Sequence, residues 1–278
     1  MSSEDEFDSQ KPDTIVLIHG LFLNALSWEN WKARYEERGY TVIASDWPGM
    51  QSDPKDVRAD PSELNEIGVG EIVDHYDGII NSLDRPPIIM GHSFGGAFTE
   101  LLLDRGLGAA GVAIDAAGVK GITKLPPSEL KVGWPVLKNP ANRHDTVMLT
   151  EKEFRYAFTN TLSEEESAVL YQRYAVPGPG RVLFQGALAN FNPHSPLKLD
   201  FKNADRAPLL LIAGGLDHTV PAVVDAQANK KFGKSEAITE YKEYPEKPHF
   251  GIGIEGWEEI ADFSLEWAEK HARSVANV

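Results

Sequence analysis

The stretch Gly91-His92-Ser93-Phe94-Gly95 lies between a short apolar run, Ile88 to Met90, and the periodic segment Ala97 to Leu103. The run has the length of a parallel-sheet strand, and the segment after it has the apolar face and good helix formers of a packed helix. A chain passing from strand to helix through so tight a turn forces the serine at its tip into a strained backbone region. Side chains two positions to either side would collide with the strand and the helix, so both flanks must be glycine. The serine hydroxyl is then held at the carboxyl edge of a sheet, with the positive end of a helix beneath it. An ordinary glycine-rich turn with a solvated serine makes none of these demands. A nucleophile needs a base, an acid and oxyanion donors from elsewhere in the chain.

The rest of the chain supplies the sheet. Thr14 to Phe22 is a run containing His19-Gly20, apolar enough on both faces to belong inside a parallel sheet. Tyr40 to Ser45, Ala109 to Ile114, Pro208 to Ala213 and Ala237 to Tyr244 read as further strands, with helices predicted over 28–38, 67–83, 221–232 and 257–273. This alternation predicts an α/β fold, a doubly wound and mostly parallel sheet with active groups at the strand carboxyl ends.

Between 118 and 206 the rhythm breaks. Thr150-x-x-Glu153 and Ser163-x-x-Glu166 are capping boxes that open two helices, and a third is predicted over 181–190, with no strands in this region. The expected organisation is a disordered acidic tail over 1–12, a core over 13–117 and 207–278, and a helical cap insertion over 118–206. Such an insertion, placed after a strand's carboxyl end, sits over the active edge.

Composition narrows the partners. A formal charge of -15 argues against nucleic acid or an anionic membrane. The absence of cysteine excludes disulfides, thiolate metal sites and a cysteine nucleophile. Residues 1–10 lack the basic and apolar regions of a secretory signal, and no apolar run is long enough to span a bilayer, so a cytoplasmic protein is expected. No metal-type His/Glu spacing is present, and neither metal nor cofactor is expected; oligomeric state stays open between monomer and dimer.

Read in chain order, the strand ends offer His19-Gly20, Ser93, Asp217 and His249. With Asp46-x-Pro48-Gly49, Asp217-His218-Thr219-Val220-Pro221 and Pro248-His249-Phe250, the chain resembles the α/β-hydrolase superfamily in its lidded form, from Thr14 to the final helix. The first strand begins so near the amino terminus that the leading hairpin common in that family is expected to be absent. The chemistry makes Ser93 the nucleophile, His249 the base and Asp217 the acid that orients it. The Phe94 main-chain N–H, next after the nucleophile, is one oxyanion donor, and the resemblance places the other at Leu21. Asp115 also ends a strand and is the rival acid, since some family members carry the acid there. Turn chemistry accounts for Asp46, and bracing of the oxyanion loop for His19. His218 should point away from the acid, and His271 lies in the terminal helix. His144 and His194, both in the insertion, suit either packing or substrate contact. Phe22, Trp47, His92, Trp134, Phe158 and His194 are the candidate substrate-binding residues.

The expected function is a serine hydrolase cleaving carboxylic esters of small to medium, largely apolar substrates through an acyl-enzyme. The same fold also hosts thioesterases, lactonases, perhydrolases, carbon–carbon hydrolases and hydroxynitrile lyases. A non-catalytic ligand-binding receptor is the reading from another class. A serine at this turn counts against epoxide hydrolase and haloalkane dehalogenase, which place a carboxylate there.

Overall fold

The computed structural model describes residues 11–273, so the first ten residues of the expected acidic tail lie outside the described residues. The first half runs β1 (Thr14–Ile18), α1 (Glu29–Glu36), β2 (Thr41–Ala44), α2 (Pro54–Ala59), α3 (Val69–Asn81), β3 (Ile88–His92), α4 (Phe94–Asp104) and β4 (Ala110–Ile114). There follow α5 (Pro127–Leu137), β5 (Thr146–Val147), α6 (Glu151–Phe158), α7 (Glu164–Tyr174), β6 (Gly178–Pro179) and α8 (Gly180–Ala187). The chain closes with β7 (Leu209–Gly214), α9 (Val223–Phe232), β8 (Thr239–Tyr244) and α10 (Trp257–His271).

Six strands form one sheet in the order β2-β1-β3-β4-β7-β8, and every neighbouring pair is parallel. The four inner strands are buried along their whole length, which is why they read as unbroken apolar runs. The edge strand β8 instead alternates, and its exposed Glu240, Lys242 and Glu243 discourage pairing with another sheet. First and last helices are tied together by the Arg34–Asp262 ion pair at 2.6 Å and by the Tyr35 hydroxyl, which donates to the Ala261 carbonyl at 2.8 Å. No helix among the described residues is long and apolar enough to cross a membrane.

Residues between β4 and β7 are mainly helical, and both capping boxes form with reciprocal bonds. Two features depart from expectation. Thr146–Val147 and Gly178–Pro179 pair as a two-residue antiparallel ribbon, too short to leave any periodic signal. Helix α5 was also not foreseen, because Pro126-Pro127, Gly133 and Pro135 give its sequence the look of a loop; the prolines open its first turn and fall near its last.

One buried carboxyl group in α4, that of Glu100, makes stability depend on pH. Glu100 is 2% exposed, and burial pushes its carboxyl up from 4.5 to about 8, opposed in part by the Arg206 guanidinium. The folded protein therefore binds a proton that the unfolded chain releases, and this contribution to stability is lost as pH rises from about 4.5 through about 8. Glu100→Gln is expected to flatten the pH dependence of the urea midpoint over that range and to stabilise the fold on the order of 3 kcal/mol at neutral pH. Parallel stability–pH curves for wild type and variant would refute this.

Candidate active site

Ser93 stands between β3 and α4 with φ 59° and ψ −122°, a region that a residue with a side chain occupies only under constraint. A Cβ on Gly91 would lie 2.0 Å from the Gly95 carbonyl oxygen, and one on Gly95 would lie 2.1 Å from that of Ile18. Both glycines are therefore required by contact, as the strand-turn-helix reading anticipated. The Ser93 N–H donates to the Ile114 carbonyl at 2.9 Å, and its carbonyl accepts from Ala117 at 3.0 Å and Ala97 at 3.2 Å. The strained turn is thus pinned to β4 and to the loop beyond it.

His249 Nδ1–H donates to Asp217 Oδ2 at 2.6 Å, both side chains being fully buried. That bond selects the tautomer, so Nε2 is a lone-pair acceptor, and it has no partner in this state. The Thr219 and Val220 N–H groups donate to Asp217 Oδ1 at 2.6 and 2.9 Å. Burial disfavours charge on both members, pushing Asp217 up and His249 down to about 3, while the two main-chain donors hold the Asp217 carboxylate the other way. The imidazole is neutral at neutral pH. Asp115, the rival acid, spends Oδ1 on the Gly214 N–H at 2.6 Å and makes no hydrogen bond to His249. Burial and the neighbouring Asp217 charge push its carboxyl up.

The loop after β1 comes against the turn, for a Cβ on Gly20 would meet Ser93 Cβ at 2.8 Å. His19 braces it as expected: Nδ1–H donates to the Gly20 carbonyl at 2.9 Å, and Nε2 accepts from the Trp47 N–H at 3.3 Å. Burial lowers this ring to about 4, consistent with a neutral imidazole using both nitrogens. Asp46 accepts from the Ala25 N–H at 2.8 Å and the Ser52 hydroxyl at 2.9 Å, holding the loops after β1 and β2 together. Phe22 has φ 68°, and among the described residues the Leu21 and Phe94 N–H groups are free of hydrogen bonds.

The remaining candidates divide. Phe158 lies edge-on to the His249 ring at 5.1 Å, and Phe22 is buried beside Leu21 against Gly178. His92 packs on His249 with ring centroids 4.6 Å apart, but its Nε2–H is spent on the His249 carbonyl at 2.7 Å. Trp47 is 1% exposed and stacked on His19 at 4.8 Å, a core residue of the supporting loop. The structure does not gather Trp134 or His194 into this group, since Trp134 is 64% exposed on α5 and His194 is exposed in the loop after α8.

Two features escaped sequence reasoning. Helix α8 approaches Phe94 so closely that a Cβ on Gly186 would lie 3.0 Å from its ring. Glu129 of α5 has a buried carboxylate oxygen with no partner, and burial followed by the Asp217 charge pushes it up to about 7. No local motif marks either residue. Ligand atoms of His92, Asp115 and His249 lie within 4.8 Å of one another, and one atom of each side chain is engaged in a hydrogen bond. Ser93 is 4% exposed. A cavity of about 570 Å³ between α6 and α7 reaches His218, next to Asp217, but neither Ser93 nor His249 lines it.

A parallel sheet whose sharpest turn presents a serine, with a buried His–Asp pair on later strand-end loops, defines an α/β-hydrolase fold. Residues 15–262 match the model of the alpha/beta hydrolase family, and the chain belongs to that family. A monoacylglycerol lipase from Paleococcus ferrophilus is similar at 22% identity and TM-score 0.67, covering 95% of this chain and 97% of that one. Polyneuridine aldehyde esterase is similar at 18% identity and TM-score 0.64 (93% and 100% covered). A putative non-heme bromoperoxidase from Mycobacterium tuberculosis is similar at 17% identity and TM-score 0.68 (95% and 94% covered). At these identities the likenesses speak to the fold alone. None of the curated proteins compared with the sequence matches it.

Because the Gly91 position has no room for a methyl group, Gly91→Ala is expected to destabilise the protein by about 3 kcal/mol. Thermal unfolding followed by circular dichroism checks this; an unchanged melting temperature would mean that the turn is not under the contact described.

Proposed function

We propose that the protein is a serine hydrolase that cleaves carboxylic esters through an acyl-enzyme, with Ser93, His249 and Asp217 as its triad. The observation that carries this reading is the 2.6 Å His249–Asp217 bond, which leaves a neutral imidazole acceptor against the very turn that presents Ser93. His249 Nε2 takes the Ser93 proton as the hydroxyl attacks the ester carbonyl, and returns it to the departing alcohol. Asp217 holds the ring and stabilises the imidazolium formed in between. The free N–H groups of Leu21 and Phe94 receive the oxyanion, each such donor being worth about 2.7–4 kcal/mol in comparable sites. Water then attacks the acyl-enzyme with His249 again as base, and the acyl–Ser93 bond breaks to release the carboxylic acid as His249 returns the proton to Ser93 Oγ.

Phe22, Phe94 and Phe158 give the surroundings an apolar character that suits small to medium ester groups. The esterase and lipase among the similar structures are compatible with this substrate class. Residues 118–206 act in this reading as a cap that excludes water, and substrate entry requires the cap to move.

Ser93→Ala is expected to lose roughly 10⁶ in kcat on p-nitrophenyl esters and all labelling by a fluorophosphonate. Labelling that persists in the variant would point to another nucleophile, and absence of turnover of any ester by the wild type would favour a binding protein. Asp217→Asn should cost roughly 10⁴ in kcat, whereas Asp115→Asn should cost less than about tenfold. The reverse ranking would make Asp115 the acid. With the base lowered by burial from its ordinary 6.5, the kcat/KM profile should stay flat down through that value before its acid limb. A limb above 6.5 would show that the imidazole is not held neutral as described.

A further inference from the structure

We propose that the outward face of α5, with the segment leading into it and the segment following α8, is a docking surface for an anionic phospholipid membrane. Leu125 (58% exposed), Leu130 (49%), Trp134 (64%), Leu188 (53%) and Phe191 (83%) all present large apolar side chains to solvent. Leu130 and Trp134 are one helical turn apart, so they share a stripe, while Gly133 and Val136 face inward.

The two helices sit side by side. A Cβ on Gly133 would lie 3.8 Å from a Leu183 methyl. The loop after α8 is fastened to the approach to α5 by the Gly121 N–H, which donates to Asn190 Oδ1 at 2.7 Å, and by Asn190 Nδ2–H, which donates to the Ile122 carbonyl at 2.5 Å. The segment carrying Leu188 and Phe191 is therefore held beside the approach to α5 that carries Leu125, and exposed apolar area gathered in this way marks an interaction site.

Charge identifies the occupant. From Val119 to His144 the chain carries Lys120, Lys124, Lys131, Lys138 and Arg143 against a single acid, Glu129. From Gly180 to Leu199 it carries Arg181 and Lys198 and no acid. The whole chain is at -15, so these two segments run against its sign, although Arg181 is itself paired with Glu71 at 3.2 Å. Screening over about 8 Å at physiological salt lets the local sign govern close contact. Tryptophan, phenylalanine and leucine flanked by lysine and arginine are the chemistry that lies in an anionic headgroup region, with the rings at the acyl boundary and the basic groups among the phosphates. The expectation from net charge that an anionic membrane is no partner is thus reversed for this face. Docking there sets the membrane outside α8, whose inner side rests on Phe94, next to Ser93. The surface stands independently of the esterase reading; where both hold, apolar esters reach the site from the lipid phase.

The test is flotation of the full chain with phosphatidylcholine vesicles and with vesicles containing about a third phosphatidylserine, at ~0.05 M and ~0.5 M salt. Binding to the anionic vesicles at low salt should exceed binding to neutral ones by about tenfold and fall in high salt. Lys124→Glu with Lys138→Glu should abolish it, and Phe191→Ser should weaken it by about tenfold. Circular dichroism and turnover of a water-soluble ester serve as controls, since none of these three side chains touches the candidate site. The fluorescence difference between wild type and Trp134→Phe should shift to the blue on binding. No partition at low salt, or equal partition of the charge-reversed variant, overturns the proposal. Self-association that Phe191→Ser abolishes, with no vesicle binding, would assign the face to a second copy of the chain instead.

Discussion

A serine held at φ 59° cannot stay there by its own preference, and the organisation of the site follows from how that strain is supported. Gly95 is pressed against the end of β1 at Ile18, so the turn and the loop carrying Leu21 are forced into one place. The main chain of Ser93 is bonded on one side to Ile114 and on the other to Ala117, which fixes the turn relative to β4 as well. Three strand ends thus meet at one residue. A strain of about 1–3 kcal/mol is tolerable only because the surrounding contacts over-determine the geometry.

The same strand ends are stapled by buried carboxyl groups. Asp115 accepts from the Gly214 N–H, Asp225 from the Ala116 N–H at 3.1 Å, and Asp217 from Thr219 and Val220. Each is pushed up by burial, and their mutual repulsion adds to the effect on Asp115 and Asp225. Only Asp217 reaches the histidine. A dry pocket that discourages charge keeps the imidazole neutral, so it can accept a proton, and strengthens any hydrogen bond offered to a developing oxyanion. His92, next to the serine, closes the arrangement from behind by donating to the His249 carbonyl.

The helical segment is joined to this core by specific polar contacts. Arg173 and Tyr174 both reach Glu29 of α1, at 2.7 and 2.6 Å, and Arg58 donates to the carbonyls of Tyr171 and Ala175 at the end of α7. Nearer the site, the Phe250 N–H donates to the Phe158 carbonyl at 2.9 Å, so the loop carrying His249 and the end of α6 share a backbone bond. Ser93 itself is 4% exposed.

Much of this was legible without coordinates. The inner strands could be recognised because a strand buried on both faces must be apolar throughout, and Ser93 because only a sharp turn explains glycine on both sides of it. The two capping boxes marked the starts of α6 and α7 because their bonds are local, spanning three residues. The order Ser93, Asp217, His249 suggested which residues to bring together. What the linear pattern could not decide was anything that depends on long-range approach. Asp115 and Asp217 both follow strands, and only their placement shows which one meets His249. Trp47 and Trp134 looked alike as cleft aromatics until packing put one beneath His19 and the other in solvent. The proline-broken helix α5 and the two-residue ribbon are stabilised by neighbours far away in sequence. The run of lysines and arginines around α5 was hidden within a net charge of the opposite sign, because composition sums over the whole chain, whereas packing decides which of those side chains reach solvent and which, like Arg181 on Glu71, are paired.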